Sequence, residues 1–255
     1  MEKVFEADFY KEKIIEWIKD WFKNKSGHAK GIVIGISGGK DSTVAAALCA
    51  KAIGKDKVLG VLMPNGEQKD IEDSIEICEY LGISYRVVNI RPVYDAIYNM
   101  IRYSKNYMAN ENIDSFFPLS NHTLTNIPPR IRMTTLYAIG QEMGYRVCGT
   151  GNASEAYVGY FTKWGDGAHD FNPIANFTTD EVVALGHALG LPSHLVDKTP
   201  SDGLCGKTDE DNLGFTYKEL NAYLHGSENI DKEIIEKIEK LHIYNLHKRD
   251  PIPRF

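Results

Sequence analysis

A glycine-rich segment near the N-terminus is the part of this chain best suited to chemistry. Ser37-Gly38-Gly39-Lys40-Asp41-Ser42 lies between an apolar, β-branched run, residues 31–36, and a segment with helical periodicity. Adjacent glycines allow a tight turn whose N–H groups point inward, and the following helix adds the positive end of its dipole. The loop is therefore predicted to bind an anion, with a phosphate as the simplest candidate.

The aspartate in this loop indicates a metal ion. A carboxylate aimed at a phosphate site would repel the anion unless a cation lay between them, so Asp41 is a candidate ligand for Mg²⁺. Capping of the following helix is the ordinary alternative role for an aspartate at this position.

Three known loop patterns compete for this segment. The Walker A pattern fails because Lys40 is followed by Asp41, and the dinucleotide fingerprint G-x-G-x-x-G fails as well. The nucleophile elbow G-x-S-x-G of serine hydrolases does match residues 35–39, with acids and histidines downstream. Against it, only His28 precedes Ser37, no glycine-rich oxyanion loop comes earlier, and an elbow does not need Asp41.

Later segments give the loop a family context. Ser-Gly-Gly-x-Asp-Ser after a first strand resembles the pyrophosphate-binding loop of the ATP pyrophosphatases, which cleave ATP between the α and β phosphates. Further motifs follow in the order and spacing of the ammonia-dependent NAD synthetases, over about residues 10–250. These motifs are residues 126–133, 149–155, 161–167, 170–173, 200–204, 208–210 and 247–249. On these motifs the chain resembles that family.

The resemblance implies three sets of site residues. Two carboxylates, Asp41 and Glu155, would bind Mg²⁺. The residues implied to contact ATP are Gly35, Ile36, Ser37, Gly38, Gly39, Lys40, Asp41, Ser42, Thr150, Thr179 and Ser201. Those implied to contact deamido-NAD are Arg130, Lys163, Asp170, His247 and Lys248. The resemblance also implies a homodimer with nucleotide sites near the subunit contact.

The activity implied by the resemblance is ATP-dependent amidation of deamido-NAD with ammonia, which yields NAD, AMP and pyrophosphate through an adenylated intermediate. Attack of the nicotinate carboxylate on the α-phosphorus brings two anions together, so Mg²⁺ and basic side chains must neutralise charge. Positioning of the substrates and neutralisation of their charge then account for the rate enhancement. No side chain is expected to act as a covalent nucleophile. Ser37 is predicted to donate hydrogen bonds and not to become acylated.

Two positions depart from the family pattern. Thr179 stands where members usually carry an ATP-contacting lysine, and its hydroxyl brings no charge. We expect Lys40, at the variable position of the loop, to supply the missing charge. Pro128-Pro129 replaces the more usual small residue before Arg130, which the first turn of a helix tolerates because its N–H groups are unpaired.

The elements that position these residues are predicted from hydrophobic periodicity. β-Branched runs alternate with helical segments, which gives a βαβαβ pattern with parallel strands and crossover helices. The runs are residues 31–36, 57–63 and 84–90, the helical segments are 41–53 and 68–82, and a fourth strand is predicted at 145–149. The predicted fold is α/β, an open, mostly parallel twisted sheet with helices on both faces. It is Rossmann-like and, by the resemblance, of the adenine nucleotide alpha hydrolase type.

Further helices and loops are predicted around this pattern. Helices are expected over residues 9–25, 93–103, 180–189, 217–224 and 231–241, and polar loops over 107–126 and 200–211. Another helix is predicted to open at Pro128-Pro129 and to run to about Met143. Because no internal repeat or linker is present, residues 1–255 are predicted to form a single domain.

Composition excludes several classes of protein. With 29 Lys and Arg against 35 Asp and Glu, the net charge of −6 does not favour nucleic-acid binding. The longest clean apolar stretch, residues 31–36, is far shorter than the roughly 20 residues of a membrane span. Residues 1–20 lack a secretory signal pattern, so a cytoplasmic location is expected. The 4 cysteines contain no C-x-x-C pair and are predicted to be inert thiols.

Chain length bears on the nitrogen donor. The motifs fill most of the 255 residues, so we expect no glutaminase domain and free ammonia as the substrate. The alternatives are a non-catalytic adenine-nucleotide-binding module, a serine hydrolase, and another ATP pyrophosphatase such as a tRNA-modifying enzyme. The net charge and the lack of zinc-type cysteine pairs disfavour the last of these.

Overall fold

A parallel β-sheet forms the centre of the structure, a computed structural model that describes residues 5–68, 71–104, 106–108, 111–113, 117–198 and 208–255. The strands are β1 (Gly31–Gly35), β2 (Val58–Leu62), β3 (Ser84–Val87), β4 (Asn106–Met108), β5 (Glu111–Ile113) and β6 (Tyr145–Cys148). The main sheet has the order β3-β2-β1-β6 with every pair parallel, and β4 and β5 form a separate antiparallel pair. Val33 of β1 pairs with Leu59 on one side and Val147 on the other. The predicted parallel α/β fold is confirmed.

The helices occupy most of the remaining described chain. They are α1 (Ala7–Asn24), α2 (Lys40–Ile53), α3 (Ile71–Leu81), α4 (Arg91–Arg102), α5 (Asn121–Met143), α6 (Ala153–Val158), α7 (Thr179–Ala188), α8 (Ser193–Val196), α9 (Asp209–Leu213), α10 (Tyr217–Leu224), α11 (Lys232–Tyr244) and α12 (Leu246–Arg249). Across the part of the chain that the structure describes, no helix combines the length and apolar character needed to cross a membrane.

Helices cover both faces of the sheet because successive strand residues point to opposite sides. Ile32 and Ile34 pack with apolar side chains of α1, α2, α3 and α7. Val33 points the other way and packs with side chains of α4 and α5, including Ile131. A third, smaller cluster joins α6, α10 and α11 around Leu220. Helices α10 and α11 therefore pack on α6, the helix that follows β6.

The start of α5 corrects the sequence prediction. The helix begins at Asn121, and Pro128 and Pro129 lie inside it, so residues 121–126 are helical and not part of a loop. A proline removes one backbone hydrogen bond from a helix interior, which made a start at Pro128 the simpler prediction. The true start signal is Ser120, whose Oγ accepts a hydrogen bond of 3.2 Å from the N–H of Thr123.

The predicted loop 200–211 also ends earlier than expected. Its last residues belong to α9, which begins at Asp209 under a capping box from Thr208. Residues 199–207, which include the predicted ATP contact Ser201, lie outside the described residues.

The described cysteines are buried thiols. Cys49, Cys78 and Cys148 are free, while Cys205 lies outside the described residues. Burial, with a smaller effect of the Glu79 charge, raises the pKa of Cys78 to about 12. A thiol that stays protonated is a poor nucleophile, in line with the prediction of inert cysteines.

Candidate active site

The crevice of the sheet lies between β1 and β6. From β1 the chain crosses through α2 to β2, whereas β6 pairs with the opposite edge of β1. Connections that leave neighbouring strands in opposite directions open a crevice at the carboxyl ends, where open α/β sheets bind ligands. The loop after β1, residues 36–39, and the loop after β6, residues 149–152, form this crevice.

The loop after β1 has the geometry of an anion site. Gly38 has a φ of 80°, a left-handed conformation that favours glycine. Gly39 is the N-cap of α2 and offers no side chain to the first-turn N–H groups. Ser37 Oγ accepts from the N–H of Gly39 at 3.3 Å and lies 3.1 Å from Ser42 Oγ. The first turn of α2 is thus left available to a phosphate.

Two carboxylates meet in the crevice through one asparagine. Asn152 donates its backbone N–H to Glu155 Oε2 at 3.0 Å and its amide Nδ2 to Asp41 Oδ1 at 3.1 Å. Burial, together with the nearby Asp41 carboxylate, raises the pKa of Glu155 to about 8. The two acids are therefore close enough to repel each other, and a cation between them would relieve that repulsion.

The donor set fits Mg²⁺. Within the described ranges no group of three or more His, Cys, Asp and Glu side chains could hold a metal ion. Mg²⁺, however, commonly uses one or two protein carboxylates and completes its shell with waters and substrate phosphates. Asp41 and Glu155 beside an anion-binding loop supply that combination.

Lys40 points into this acidic group. Its side chain is only 6% exposed, and its ammonium donates to Asp41 Oδ2 at 2.9 Å. Burial lowers the pKa of Lys40, but the charges of Asp41 and Glu155 outweigh that effect and raise it overall. The ammonium also lies 6.0 Å from the centre of the Tyr217 ring. Lys40 thus balances part of the carboxylate charge.

Two other predicted ATP contacts, Thr179 and Thr150, lie in different surroundings. Thr179 is buried, and its Oγ1 accepts a hydrogen bond of 2.7 Å from Asn221 Nδ2. Asn221 Oδ1 in turn accepts from Ser154 Oγ at 2.6 Å, so the Thr179 hydroxyl belongs to a buried network. Thr150 lies two residues after the end of β6, in a loop braced by Asn172 Nδ2, which donates to Gly151 O at 2.8 Å.

The predicted acid-substrate contacts gather around the C-terminal helix α12. Lys163 Nζ donates to the carbonyl of His247, and Arg130 Nε donates to the carbonyl of Lys163 at 3.3 Å. Lys248 Nζ donates to the carbonyls of Gly159 and Phe161 at 2.6 and 2.8 Å. The structure therefore brings Arg130, Lys163, His247 and Lys248 together, and we call these four residues the basic cluster.

Asp170 lies apart from the basic cluster, beside β6. Its Oδ2 accepts from the N–H of Val147 at 2.8 Å, and its Oδ1 accepts from the Tyr137 hydroxyl at 3.4 Å. Burial and the Asp170 charge raise the pKa of Tyr137 to about 12. Both side chains line a cavity of about 340 Å³ at the outer edge of β6. No hydrogen bond or ion pair recorded between described residues joins Asp170 to the basic cluster.

Comparison with known proteins decides the family. The model of the NAD synthase family matches residues 10–252. The chain belongs to the NAD synthase family. The NH(3)-dependent NAD(+) synthetase of Pyrococcus furiosus is 40% identical in an alignment that covers 93% of this chain and 92% of that protein. The enzyme of the same name from Pyrococcus horikoshii is 42% identical, with the same coverage of 93% and 92%.

Solved structures agree with this membership of the NAD synthase family. The structure of NMN synthetase from Francisella tularensis superposes with a TM-score of 0.86 at 35% identity and covers 99% of this chain and 100% of that one. NH3-dependent NAD synthetase from Campylobacter jejuni, solved with the nitrate ion, gives a TM-score of 0.77 at 28% identity and covers 98% and 99%. The predicted family and fold type are both confirmed.

Asn152 is the positioning residue that sequence reasoning about this NAD synthase family member missed. It lies within the motif of residues 149–155; its backbone N–H donates to Glu155 and its side-chain amide donates to Asp41. The signal was present, since Asn152 and Glu155 have the spacing of a capping box at the start of α6. The contact with Asp41 could not be read locally, because it joins residues 111 apart.

The structure gives the serine-hydrolase alternative little support. The hydrogen bonds of Ser37 Oγ among described residues are with Ser42 and Gly39, and none joins it to a histidine.

For a NAD synthase family member, we expect the Ser37→Ala substitution to lower enzymatic activity about tenfold, which is the effect of losing one hydrogen bond to a charged group. Steady-state assays and labelling with an acyl-phosphonate probe would test this. A loss near that of a missing nucleophile, roughly 10⁶-fold, with labelling of the parent at Ser37, would support the hydrolase.

Proposed function

We propose that this chain catalyses the ATP-dependent amidation of deamido-NAD with ammonia to give NAD, AMP and pyrophosphate. The observation that carries the proposal is the juxtaposition of an anion-binding loop with the Asp41–Glu155 carboxylate pair, in a NAD synthase family member. The named activity of the Pyrococcus relatives supports it. A non-catalytic nucleotide-binding module would not need the acids to be crowded together.

Each of the two chemical steps depends on particular residues of this chain. In the first, a carboxylate oxygen of the nicotinate forms a bond to the α-phosphorus of ATP and pyrophosphate leaves; the N–H groups at the start of α2 hold the leaving phosphates. Mg²⁺, held by Asp41 and Glu155, would neutralise phosphate charge. In the second step, ammonia attacks the acyl carbon, AMP leaves and the nitrogen loses a proton. The basic cluster binds and orients the acid substrate.

An assay of products tests this function. Purified protein with Mg²⁺, ATP, deamido-NAD and ammonium should yield NAD, AMP and pyrophosphate in equal amounts, and glutamine in place of ammonium should give little product. ATP binding without turnover would favour the non-catalytic module. Formation of ADP and phosphate, or of no product, would refute the proposal.

A second acid substrate is favoured by one specific observation. The Francisella structure, with a TM-score of 0.86, is that of an NMN synthetase. The corresponding reaction here would amidate nicotinate mononucleotide, which carries the same nicotinate carboxylate without the adenylate half. A comparison of kcat/KM for the mononucleotide and dinucleotide acids under identical conditions decides between the two substrates.

We also propose a homodimer, as the resemblance implies, and a cytoplasmic location with access to ATP. An apolar groove of about 1010 Å³ between α4 and α5 supports the dimer. Val93, Ile97 and Ile131 line it, and so does Arg130 of the basic cluster. A subunit contact there would bury exposed apolar surface next to the acid-substrate contacts. Sedimentation of the purified protein at twice the monomer mass is the expected result.

Removal of the Lys40 charge should weaken ATP binding. In Lys40→Met the buried stem remains, while the ammonium that balances Asp41 is lost. We expect the KM for ATP to rise about tenfold, the order of one charged hydrogen bond. Lys51→Met, at an exposed position on the same helix, is the matched control. An unchanged KM for ATP in the Lys40 variant would contradict the role of Lys40 as the compensating charge.

A further inference from the structure

An exposed tryptophan next to the basic cluster has an unusual backbone conformation. Trp164 is 53% exposed and has a φ of 62°, in the left-handed region that bulky side chains rarely adopt. Among the residues that the structure describes, His28 is the other non-glycine residue with positive φ. Strain of this kind persists only where the surrounding structure enforces it, and it is concentrated at binding sites and active sites.

The turn around Trp164 enforces the strain. Thr162 donates its N–H to Asp166 Oδ1 at 3.0 Å and accepts from the N–H of Gly165 at 2.9 Å. Gly165 packs so closely on α5 that an added Cβ would lie 2.9 Å from Pro129 Cβ. Because its neighbours are fixed in this way, the indole of Trp164 is held outward and keeps its exposed surface.

One cation lies over the exposed indole ring, and a second reaches the same turn. The ammonium of Lys163 lies 5.5 Å from the centre of the Trp164 ring and also donates to the carbonyl of His247. Arg130 reaches the same turn through its hydrogen bond to the Lys163 carbonyl. A flat aromatic face beside positive charges suits a ligand whose aromatic ring is attached to an anionic group.

We propose that the Trp164 indole is the platform on which an aromatic ring of the acid substrate stacks, with Lys163 beside it to bind the anionic part of the same molecule. This inference rests on the proposed function and names a specificity residue within it. Both the pyridine ring and the adenine ring of a dinucleotide have the required chemistry, so the test includes a ligand that carries each ring alone.

Kinetics of two substitutions test the platform. In Trp164→Gly the ring is lost, and the KM for deamido-NAD should rise about 5- to 100-fold, as for removal of an aromatic stacking partner. The KM for ATP should stay within about twofold, since no hydrogen bond or ring contact between described residues joins Trp164 to the loop after β1. Trp164→Phe keeps an aromatic face and should restore the KM for the acid to within a fewfold of the parent value. Trp17→Ala, at a tryptophan 44% exposed on α1, is the matched control.

Stability separates a binding role from a packing role. Glycine adopts the left-handed conformation without strain, so Trp164→Gly should melt at a temperature about 2 °C higher than the parent. A melting temperature lowered by several degrees together with a raised KM would show that Trp164 packs the turn, and would overturn the inference. An unchanged KM for the acid would overturn it as well, while NAD formation by the parent would leave the proposed function intact.

Fluorescence provides a reading that does not depend on turnover. The chain has 3 tryptophans, and stacking on Trp164 should quench part of their emission when deamido-NAD is added. The quench should persist in Trp17→Phe and disappear in Trp164→Phe. Nicotinate mononucleotide carries only the pyridine ring and ADP-ribose only the adenine ring, so whichever one reproduces the quench identifies the stacked ring. Absence of quenching by all three ligands overturns the inference, even if the parent forms no NAD.

Discussion

Glu155→Gln is expected to lose amide formation by about 10²- to 10³-fold, while the protein stays folded. The substitution removes one of the two carboxylates that fit Mg²⁺ and keeps the size of the side chain. Loss of a preorganised electrostatic contact to the transition state typically has an effect of this size. Asn152 can still donate to the amide oxygen, so the capping box at the start of α6 is retained.

The same variant should be more stable than the parent at alkaline pH in the absence of metal. The pKa of Glu155 is raised from 4.5 to about 8 by burial and by Asp41. A carboxyl group with a raised folded-state pKa contributes stability while it is protonated, and that contribution is lost as the pH rises from about 4.5 through about 8. Glutamine does not ionise, so it avoids this loss.

Thermal unfolding at pH 6 and pH 9 in EDTA, together with steady-state assays in Mg²⁺, would check both effects. Glu236→Gln, at an exposed position on α11, is the matched control and should change neither property. Activity of Glu155→Gln within threefold of the parent would contradict the role of Glu155 as a metal-binding carboxylate.

Gly159→Ala, at the end of α6, is expected to destabilise the packing of the C-terminal helices on α6. Gly159 has a φ of 70°, and an added Cβ would lie 2.2 Å from Asn245 Cβ, closer than any real contact. Asn245 Nδ2 donates to the carbonyl of Val158 at 2.9 Å, and Lys248 Nζ donates to that of Gly159 at 2.6 Å. Alanine must therefore displace α12, which carries His247 and Lys248.

The expected cost combines backbone strain with steric overlap. A left-handed alanine costs about 1–2 kcal/mol, and an overpacked contact adds about 1–3 kcal/mol. A loss of about 3 kcal/mol corresponds to a melting temperature lower by roughly 10 °C for a chain of this size. Because α12 moves, the KM for deamido-NAD should rise more than the KM for ATP.

A second glycine isolates the two contributions. Gly190 has a φ of 76° and nothing within 4 Å of an added Cβ, so Gly190→Ala carries the strain without the overlap. We expect Gly190→Ala to melt only a few degrees below the parent, with both KM values unchanged. Equal melting temperatures for the two variants would show that the Asn245 contact does not hold α12 in place.

The sequence indicated the elements that local patterns control. The β-branched runs of β1 and β2 alternate with helical segments, and the turn at Gly38 needs a glycine; each follows from a few consecutive residues. The predicted start of α5 at Pro128 was wrong, because the two prolines were a stronger local signal than the serine cap before them. The burial of Thr179 against Asn221 depends on how α10 packs on α7, which no local pattern specifies.

The candidate site was predictable in its parts and not in its assembly. Asp41 and Glu155 could each be placed after a strand, and the family resemblance suggested their shared role. Their contact through Asn152 depends on β6 pairing with β1 and not with another strand. The separate position of Asp170 follows from the hydrogen bond that its carboxylate accepts from the N–H of Val147 at the sheet's edge, which local sequence patterns do not specify.

The pairing of β1 with β6 affects how the protein folds during its synthesis. The loop after β1 and Asp41 are synthesised early, but their partner Asn152 lies 111 residues further along the chain. Contacts of such long range form late, because the intervening segment must first lose its freedom. A growing chain on the ribosome therefore carries Asp41 without Glu155, and the crevice that we propose for ATP and Mg²⁺ is complete only after β6 has docked at the sheet.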